Sequence, residues 1–263
     1  MMVDSLSALP LLRLLVIESG GQQVHVCVAH RKAVSDPWQR HERTQEGGSA
    51  SSVHLIPTAM DLLKEVGFAL SDLSAIAFGQ GPGSFTGLRS ACAVAQGLAI
   101  SATSEGLALI PVPSLWGLAL TGRRMATPAQ GAVVWSCLDA RMGEIYAASY
   151  RVQAEGVAPE KMTHEALYTP EALVHAVHQS FLNEPSVVCV GNALPLLQPL
   201  TGILDQVSWV ATDVLAWDMV DVAAHLALQG SMVKPEDAMP LYVRDKVAFT
   251  TAEREAQKAS QEG

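Results

Sequence analysis

Positive charge is scarce in this chain. Its 263 residues include 17 Lys or Arg against 26 Asp or Glu, a formal net charge of −9. A nonspecific grip on nucleic acid or on an anionic membrane needs a dominant basic field, so any role on RNA is expected to be indirect or carried by a basic partner. Cysteine is sparse too. Cys27, Cys92, Cys137 and Cys189 stand far apart, with no CxxC pair and no histidine companion of the kind that builds zinc sites. Three lie in strand-like apolar runs and one in a helix-like run, the setting of buried thiols in a reducing compartment. No window holds the roughly 18 uninterrupted apolar residues of a membrane span. The opening MMVDSLSALPLLRLLVIE lacks a basic leader, carries Asp4 and is broken by Pro10 and Arg13, a poor signal peptide. A cytoplasmic location is expected. Aromatics are only 5% of a composition that is 49% hydrophobic, which fits a packed soluble core in one large or two small domains.

The patterns that are present suggest two halves. Leu11 to Ile17 and Val24 to Ala29 are short apolar runs separated by ESGGQQ, a hairpin with a glycine-bearing turn. The polar stretch Arg31 to Ser52 is expected to be a mobile loop. From Val53 to Val66 the spacing predicts a helix with two apolar stripes. Ala75 to Phe78 is a short strand, Thr86 to Thr103 a helix of small apolar residues and Leu107 to Val112 another strand, with Pro113 and Ser114 opening a further helix. AVVWSCLDARMGEIYAASYR then repeats strand, acidic residue, turn and strand. It aligns without gaps to the first hairpin, Glu18 matching Asp139 and Val24 matching Ile145, which suggests an internal duplication. Further on, helices are expected over Pro170 to Phe181 and Val214 to Gln229, with a strand over Ser186 to Val190. The lobes are expected at 11–122 and 131–249, with flexible ends at 1–10 and 250–263.

The segment FGQGPGSFTGLR lies between a strand and a helix. Glycines there let backbone approach a ligand, and the free amides of a helix start favour an anion, which nominates Gly81, Gly83, Ser84, Thr86, Gly87 and Arg89, with Ser84 or Thr86 as the cap. The GK[ST] ending of a Walker loop is missing. The same glycines equally suit a tight turn that brings helix and sheet close, and both readings stay open here.

GPGSFTGLR with its small-residue helix, LDARMGEIYAASY and AMPLYVRDKVA together resemble the TsaB (YeaZ) family from about Leu14 to Ala248. The resemblance implies an α/β, two-lobed actin/hexokinase/Hsp70-like (ribonuclease-H-like) fold with mixed sheets flanked by helices. It also implies a noncatalytic scaffold in the complex that places threonylcarbamoyl on the adenosine beside the anticodon of tRNA. The implied partners are a TsaD-like catalytic subunit and a TsaE-like ATPase, with tRNA reached through the complex and ATP or ADP at the partner interface. Pairing with TsaD, or with a second copy as a homodimer, is implied to use first-lobe helices, here Leu55, Ile56, Ala59, Met60, Leu63, Ala91, Ala95 and Leu98. The alternative is an ATP-dependent phosphotransferase of the same fold. Such enzymes carry an aspartate in the first hairpin, where this chain has Glu18 in VIESGG, a departure from the family as well. Asp139 is either a partner carboxylate or a turn cap. His175 and His178 share a helix face without an HExxH pattern, so no metal site and no catalytic residue are expected.

Overall fold

Strand β1 (Leu12–Glu18) is buried along almost its whole length, as expected for a central strand covered on both faces. A computed structural model describes residues 12–33, 35–47, 51–154, 157–184, 186–203 and 207–244. The expected flexible ends 1–10 and 250–263, and the close of the AMPLYVRDKVA motif, lie outside the described residues. Strand β1 pairs antiparallel with β2 (Gln23–Arg31), which pairs with β3 (Gln39–Glu46), and runs parallel to β4 (Ala75–Gly81), which lies beside β5 (Leu109–Pro113). The sheet order is β3-β2-β1-β4-β5. In the second half, β6 (Val133–Arg141) pairs antiparallel with β7 (Glu144–Arg151) and parallel to β10 (Val187–Gly191), followed by β11 (Ser208–Val210). The short strands β8 (Glu160–Lys161) and β9 (Ala166–Tyr168) both pair with β7. Each half thus repeats one antiparallel hairpin extended by parallel strands, the ribonuclease-H-like lobe that the resemblance implies.

The gapless alignment of the hairpins is corrected by the register. Glu18 faces His25 across the first hairpin, whereas Asp139 faces Ile145 across the second. The second turn is one residue tighter and closes over a register shift between Asp139 and Arg141, so Ile145 corresponds to His25 and not to Val24. Arg141, Met142 and Gly143 all have positive φ, of 64°, 57° and 75°, the left-handed geometry that two-residue hairpin turns need.

The expected loop over Arg31 to Ser52 is likewise corrected, because it contains the edge strand β3. QRHERTQE has no apolar alternation to announce a strand. Its polar side chains are anchored on neighbouring helices instead. Arg40 donates to the Trp217 carbonyl (2.8 Å) and to Asp221 (2.8 Å), Glu42 accepts from the Trp217 amide (2.8 Å), and Arg43 pairs with Glu65. Trp217 and Asp221 belong to α6 (Ala216–Leu228), whose residue before the helix, Leu215, has no capping side chain. Glu42 satisfies one of the orphan amides that such a helix start presents.

Two helices cross between the lobes. Helix α3 (Ser114–Ala126) follows the last strand of the first sheet, yet packs on β6, β7 and β10 as well as on its own side. Helix α6 follows the last strand of the second sheet and lies on β1, β2 and β5. One continuous core therefore contains Val16, Cys27 and Ile110 from the first sheet, Val134, Tyr150 and Val190 from the second, and Leu118 and Met219 between them. The outer face of the first sheet is covered by α1 (Ser51–Glu65) and α2 (Phe85–Ala102), that of the second by α4 (Pro170–Asn183) and α5 (Leu194–Leu197). All four cysteines are buried free thiols.

The α3–α6 crossing is pinned by Asp218, which is buried and accepts from Arg124 Nε and Nη2 (both 2.9 Å) and from Thr121 Oγ1 (2.9 Å). Arg124 is half exposed and can turn to water when its partner is lost, but the buried Thr121 hydroxyl loses its nearer acceptor. Asp218→Ala is expected to lower the unfolding free energy by about 2 kcal/mol, read as a shifted urea midpoint.

Candidate functional site

The glycine-rich loop and the first hairpin turn meet backbone to backbone. Ser84 N donates to the Gly20 carbonyl (2.7 Å), and Ser19 Oγ donates to the Gly87 carbonyl (2.8 Å). A Cβ on Gly83 would lie 2.8 Å from the Gly20 oxygen, and one on Gly87 would overlap the Ser19 carbonyl. Gly81 has φ +114° and faces Leu88 and the Leu241 carbonyl. These glycines serve close approach and turn shape, because protein backbone fills the space against the loop. Ser84 occupies the N-cap position of α2, but its side chain makes no capping bond.

Glu18 sits beneath that turn. Its side chain is buried, with Oε1 accepting from the Gly20 amide and Oε2 from Ser114 Oγ (2.8 Å) at the start of α3. A Cβ on Gly79 would overlap Oε2, so the bare backbone of β4 makes room for the longer carboxylate. Burial pushes the Glu18 carboxyl above its ordinary 4.5, and the nearby Asp213 carboxylate adds to this. Hydrogen bonds from Gly20, Ser114 and Ser19 act in the opposite direction. The extra methylene that distinguishes glutamate from aspartate folds this group inward, away from the cleft.

The cleft itself, of about 440 Å³, lies between the lobes. Gly20, Gly21 and Gln22 line it from the first turn, Pro82 to Thr86 from the glycine-rich loop, Asp139 to Met142 and Tyr146 from the second hairpin, and Asn192 from the end of β10. Asn192 links the halves of its floor. Its Oδ1 accepts the Asp139 amide (2.8 Å), and its Nδ2 donates to Asp213 (2.9 Å). Asp213 in turn lies against Gly21. Asp139 Oδ1 accepts the Arg141 amide (2.7 Å), and Oδ2 faces the Arg141 guanidinium at 3.4 Å. This is the turn-capping role. Among the described residues no group of three or more His, Cys, Asp or Glu is placed to hold a metal ion.

The remaining wall comes from the chain's last described segment. Val233 forms a two-way bridge with Leu109 (2.9 Å each), Gln96 Nε2 donates to the carbonyls of Pro235 (2.8 Å) and Ala238 (3.2 Å), and Leu241 N donates to the Gln80 carbonyl (2.7 Å). Arg244 then crosses to Glu144 on the second hairpin. Of the six residues nominated for an anion loop, Gly83, Ser84 and Thr86 line the cleft. Gly81, Gly87 and Arg89 are not among its lining residues. The Arg89 guanidinium lies 3.8 Å over the Phe85 ring and its Nε donates to the Tyr242 hydroxyl (3.1 Å), which ties α2 to the C-terminal segment. Asn192 and Asp213, which follow strands, and Tyr146, which lies within β7, are not legible in the sequence, since lone polar residues carry no spacing signal. The AMPLYVRD stretch entered the sequence reading only as a family motif, without a place in the site.

The helix residues nominated for a partner divide by burial. Leu55, Ala59, Leu63, Ala91, Ala95 and Leu98 are buried where α1, α2 and the first sheet pack together, so they are corrected to lobe core. Of the two apolar stripes on α1, the one through Leu55, Ala59 and Leu62 is buried in the lobe, whereas the other buries only Leu63. Ile56 (47%) and Met60 (43%) remain exposed, as do Val53 on the same helix and Ile100 on α2. Gly97 on α2 faces open space.

Gly79→Ala is expected to cost about 2 kcal/mol of stability by overpacking, and less than half that in a Glu18→Ala background, as measured by a urea double-mutant cycle. A carboxyl whose folded-state pKa is raised favours folding while protonated. That contribution is complete below 4.5 and is lost as pH rises through the raised value. Wild type should therefore lose stability relative to Glu18→Gln as pH increases, followed by denaturation midpoints at stepwise pH.

Comparison with known proteins agrees with this geometry. The chain matches the family described as "TsaD: tRNA N6-adenosine threonylcarbamoyltransferase" over residues 41–255. It is 36% identical over 197 residues to the tRNA threonylcarbamoyladenosine biosynthesis protein TsaB of Escherichia coli, covering 74% of this chain and 81% of that one. It is 33% identical over 113 residues to TsaB of Bacillus subtilis, covering 42% and 46%. Among solved structures, YeaZ from Pseudomonas aeruginosa superposes with a TM-score of 0.70 at 26% identity, covering 88% of this chain and 99% of that one. The two-lobed fold, the docked glycine-rich loop and this similarity over most of the sequence place the chain in the TsaB (YeaZ) family of tRNA threonylcarbamoyladenosine biosynthesis proteins.

Proposed function

We propose that the chain acts in threonylcarbamoylation of tRNA as a noncatalytic subunit, presenting an apolar first-lobe face to a TsaD-like catalytic partner. The observation that carries this reading is the position of Glu18. Phosphoryl transfer in related folds needs a carboxylate and turn amides directed at the phosphates and their metal. Here the carboxylate is buried under the turn, bound to Gly20 and Ser114, and absent from the cleft lining. Asp139 is engaged by its own turn. This arrangement favours the noncatalytic reading over a phosphotransferase.

The face offered to the partner is what remains after the lobe has buried its own core: Val53, Ile56 and Met60 on α1, with Gly97 and Ile100 on α2. Helix α2 carries no charge beyond Arg89, and its small residues let another helix come close. A second copy of the chain would compete for the same face, and ATP or ADP would bind at the junction with the partner and not under the first turn. A TsaE-like ATPase would join the assembled pair.

Co-purification with the TsaD-like subunit of the same organism tests this. Wild type is expected to form a complex by light scattering, while Ile56→Glu and Gly97→Arg each weaken it at least about tenfold, or 1.4 kcal/mol, with unchanged thermal stability. No complex with wild type would refute the assignment. ATP turnover by the isolated chain that disappears in Glu18→Gln would establish the phosphotransferase instead.

A further inference from the structure

A second and larger cleft, of about 970 Å³, opens between the β2–β3 connection, the last turn of α3, the start of α6 and the end of β7. It shares no lining residue with the interlobe cleft, and the assembly role makes no use of it. Its apolar lining is formed by the indoles of Trp38 and Trp217 with Leu120, Pro128 and Val152.

The charges around it cancel. Arg40 pairs with Asp221 (2.8 Å) and Arg124 with Asp218 (2.9 Å). Arg31 and Arg123 are the other arginines of the lining and Asp36 its remaining aspartate, while Glu42 lies within electrostatic reach of both Arg40 and Arg124. Four arginines therefore meet four acidic side chains, and the cleft has no net charge with which to select an ion. Its complement is a neutral occupant with apolar side chains to set against the indoles.

A stretch of that chemistry adjoins the cleft in this same chain. Leu12, the first residue of β1, pairs with Arg31, which lines the cleft. Leu12 also packs in one core cluster with Leu120 and Val152, and Trp38 lies against that cluster. The residues just before it, SLSALPL from Ser5 to Leu11, lie outside the described residues. They carry no charge and include Leu6, Leu9 and Leu11. Pro10 has no amide hydrogen with which to extend the β1–β2 ladder beyond the Leu12–Arg31 pair, so the strand is given a reason to stop where the cleft begins.

We propose that residues 5–11 of this chain fill the cleft, with Leu6 and Leu9 against the indoles of Trp38 and Trp217. The segment then bridges the β2–β3 connection of the first lobe and the end of β7 in the second, a tie between the lobes in addition to the C-terminal strap.

The test is paramagnetic relaxation in the full chain. All four native thiols are buried, so a nitroxide attaches at Ser5→Cys alone. Labelling with 5-fluorotryptophan reports the indoles by ¹⁹F NMR, with the cleft signals assigned through Trp38→Phe and Trp217→Phe. The nitroxide is expected to broaden the Trp38 and Trp217 signals and to spare Trp135 and Trp209, which pack in the second-lobe core. Leu6→Asp combined with Leu9→Asp is expected to abolish that broadening, and in the chain without nitroxide to shift both cleft signals, because unpaired charge is excluded from an apolar site. Unshifted Trp135 and Trp209 signals certify the fold of that variant. The proposal is overturned if the nitroxide leaves the cleft signals sharp, or if broadening survives the two substitutions and so reflects only the tether at Leu12. It is equally overturned if broadening passes from a nitroxide-bearing chain to fluorotryptophan in another chain, which would seat a second copy. Cleft signals that ignore the nitroxide and shift on adding the TsaD-like subunit would assign the cleft to that partner instead.

Discussion

The contact between the first hairpin turn and the glycine-rich loop sets the terms for the rest of the molecule. Its two backbones are close enough that a Cβ on Gly83 or Gly87 would strike the Gly20 or Ser19 carbonyl. With that space closed, the turn has no opening under it for a phosphate, and the first-lobe carboxylate has to be accommodated inside. Glu18 finds its place because β4 offers a glycine at position 79 and α3 begins with the hydroxyl of Ser114. A buried carboxyl that accepts several hydrogen bonds is tolerable, whereas an unpartnered one is not. Within the segment that looks like a phosphate cradle, Gly83 and Gly87 therefore serve as a joint, while Gly83, Ser84 and Thr86 also line the interlobe cleft.

A second constraint comes from the crossed helices. Because α3 lies on the second sheet, α6 on the first, and the two pack on each other, the sheets share one core, and the interlobe cleft is bounded by elements that cannot separate without exposing it. The C-terminal segment adds to this, fastened to Gln80, Gln96 and Leu109 on one lobe and to Glu144 on the other. Hinged enzymes of related architecture close around a ligand. Here the same cleft is strapped across by that segment. The edge strand β3 follows the same logic. Its exposed pairing edge is a liability in a sheet, and its charged residues tie it to α1 and α6.

Much of this was legible in the residues. The strand–turn–strand repeats, the small-residue helix after FGQGPGSFTGLR and the helices of the second half all announced themselves through apolar periodicity, because a strand or helix that buries one face must repeat its apolar residues at that element's own period. Strand β3 was not legible, since its stability comes from ion pairs and hydrogen bonds to α1 and α6, which leave no period. The two stripes on α1 were visible, but whether each faces a partner or this chain's own α2 depends on a packing angle that spacing does not encode. That is why Ala59 and Ala95 proved to be core while Ile56 and Met60 stayed outside.

The sequence by itself determined the fold class, the family and the departure at Glu18, because each rests on residue identity or on local periodicity. The tertiary structure alone decided what those residues do. It turned Glu18 inward, set Arg89 on Phe85 and Tyr242, and brought Asn192, Asp139 and Asp213 together from separate strands and loops. The physical reason is that hydrogen bonds, ion pairs and steric exclusion between distant segments act over a few ångströms, a distance that exists only after the chain has folded.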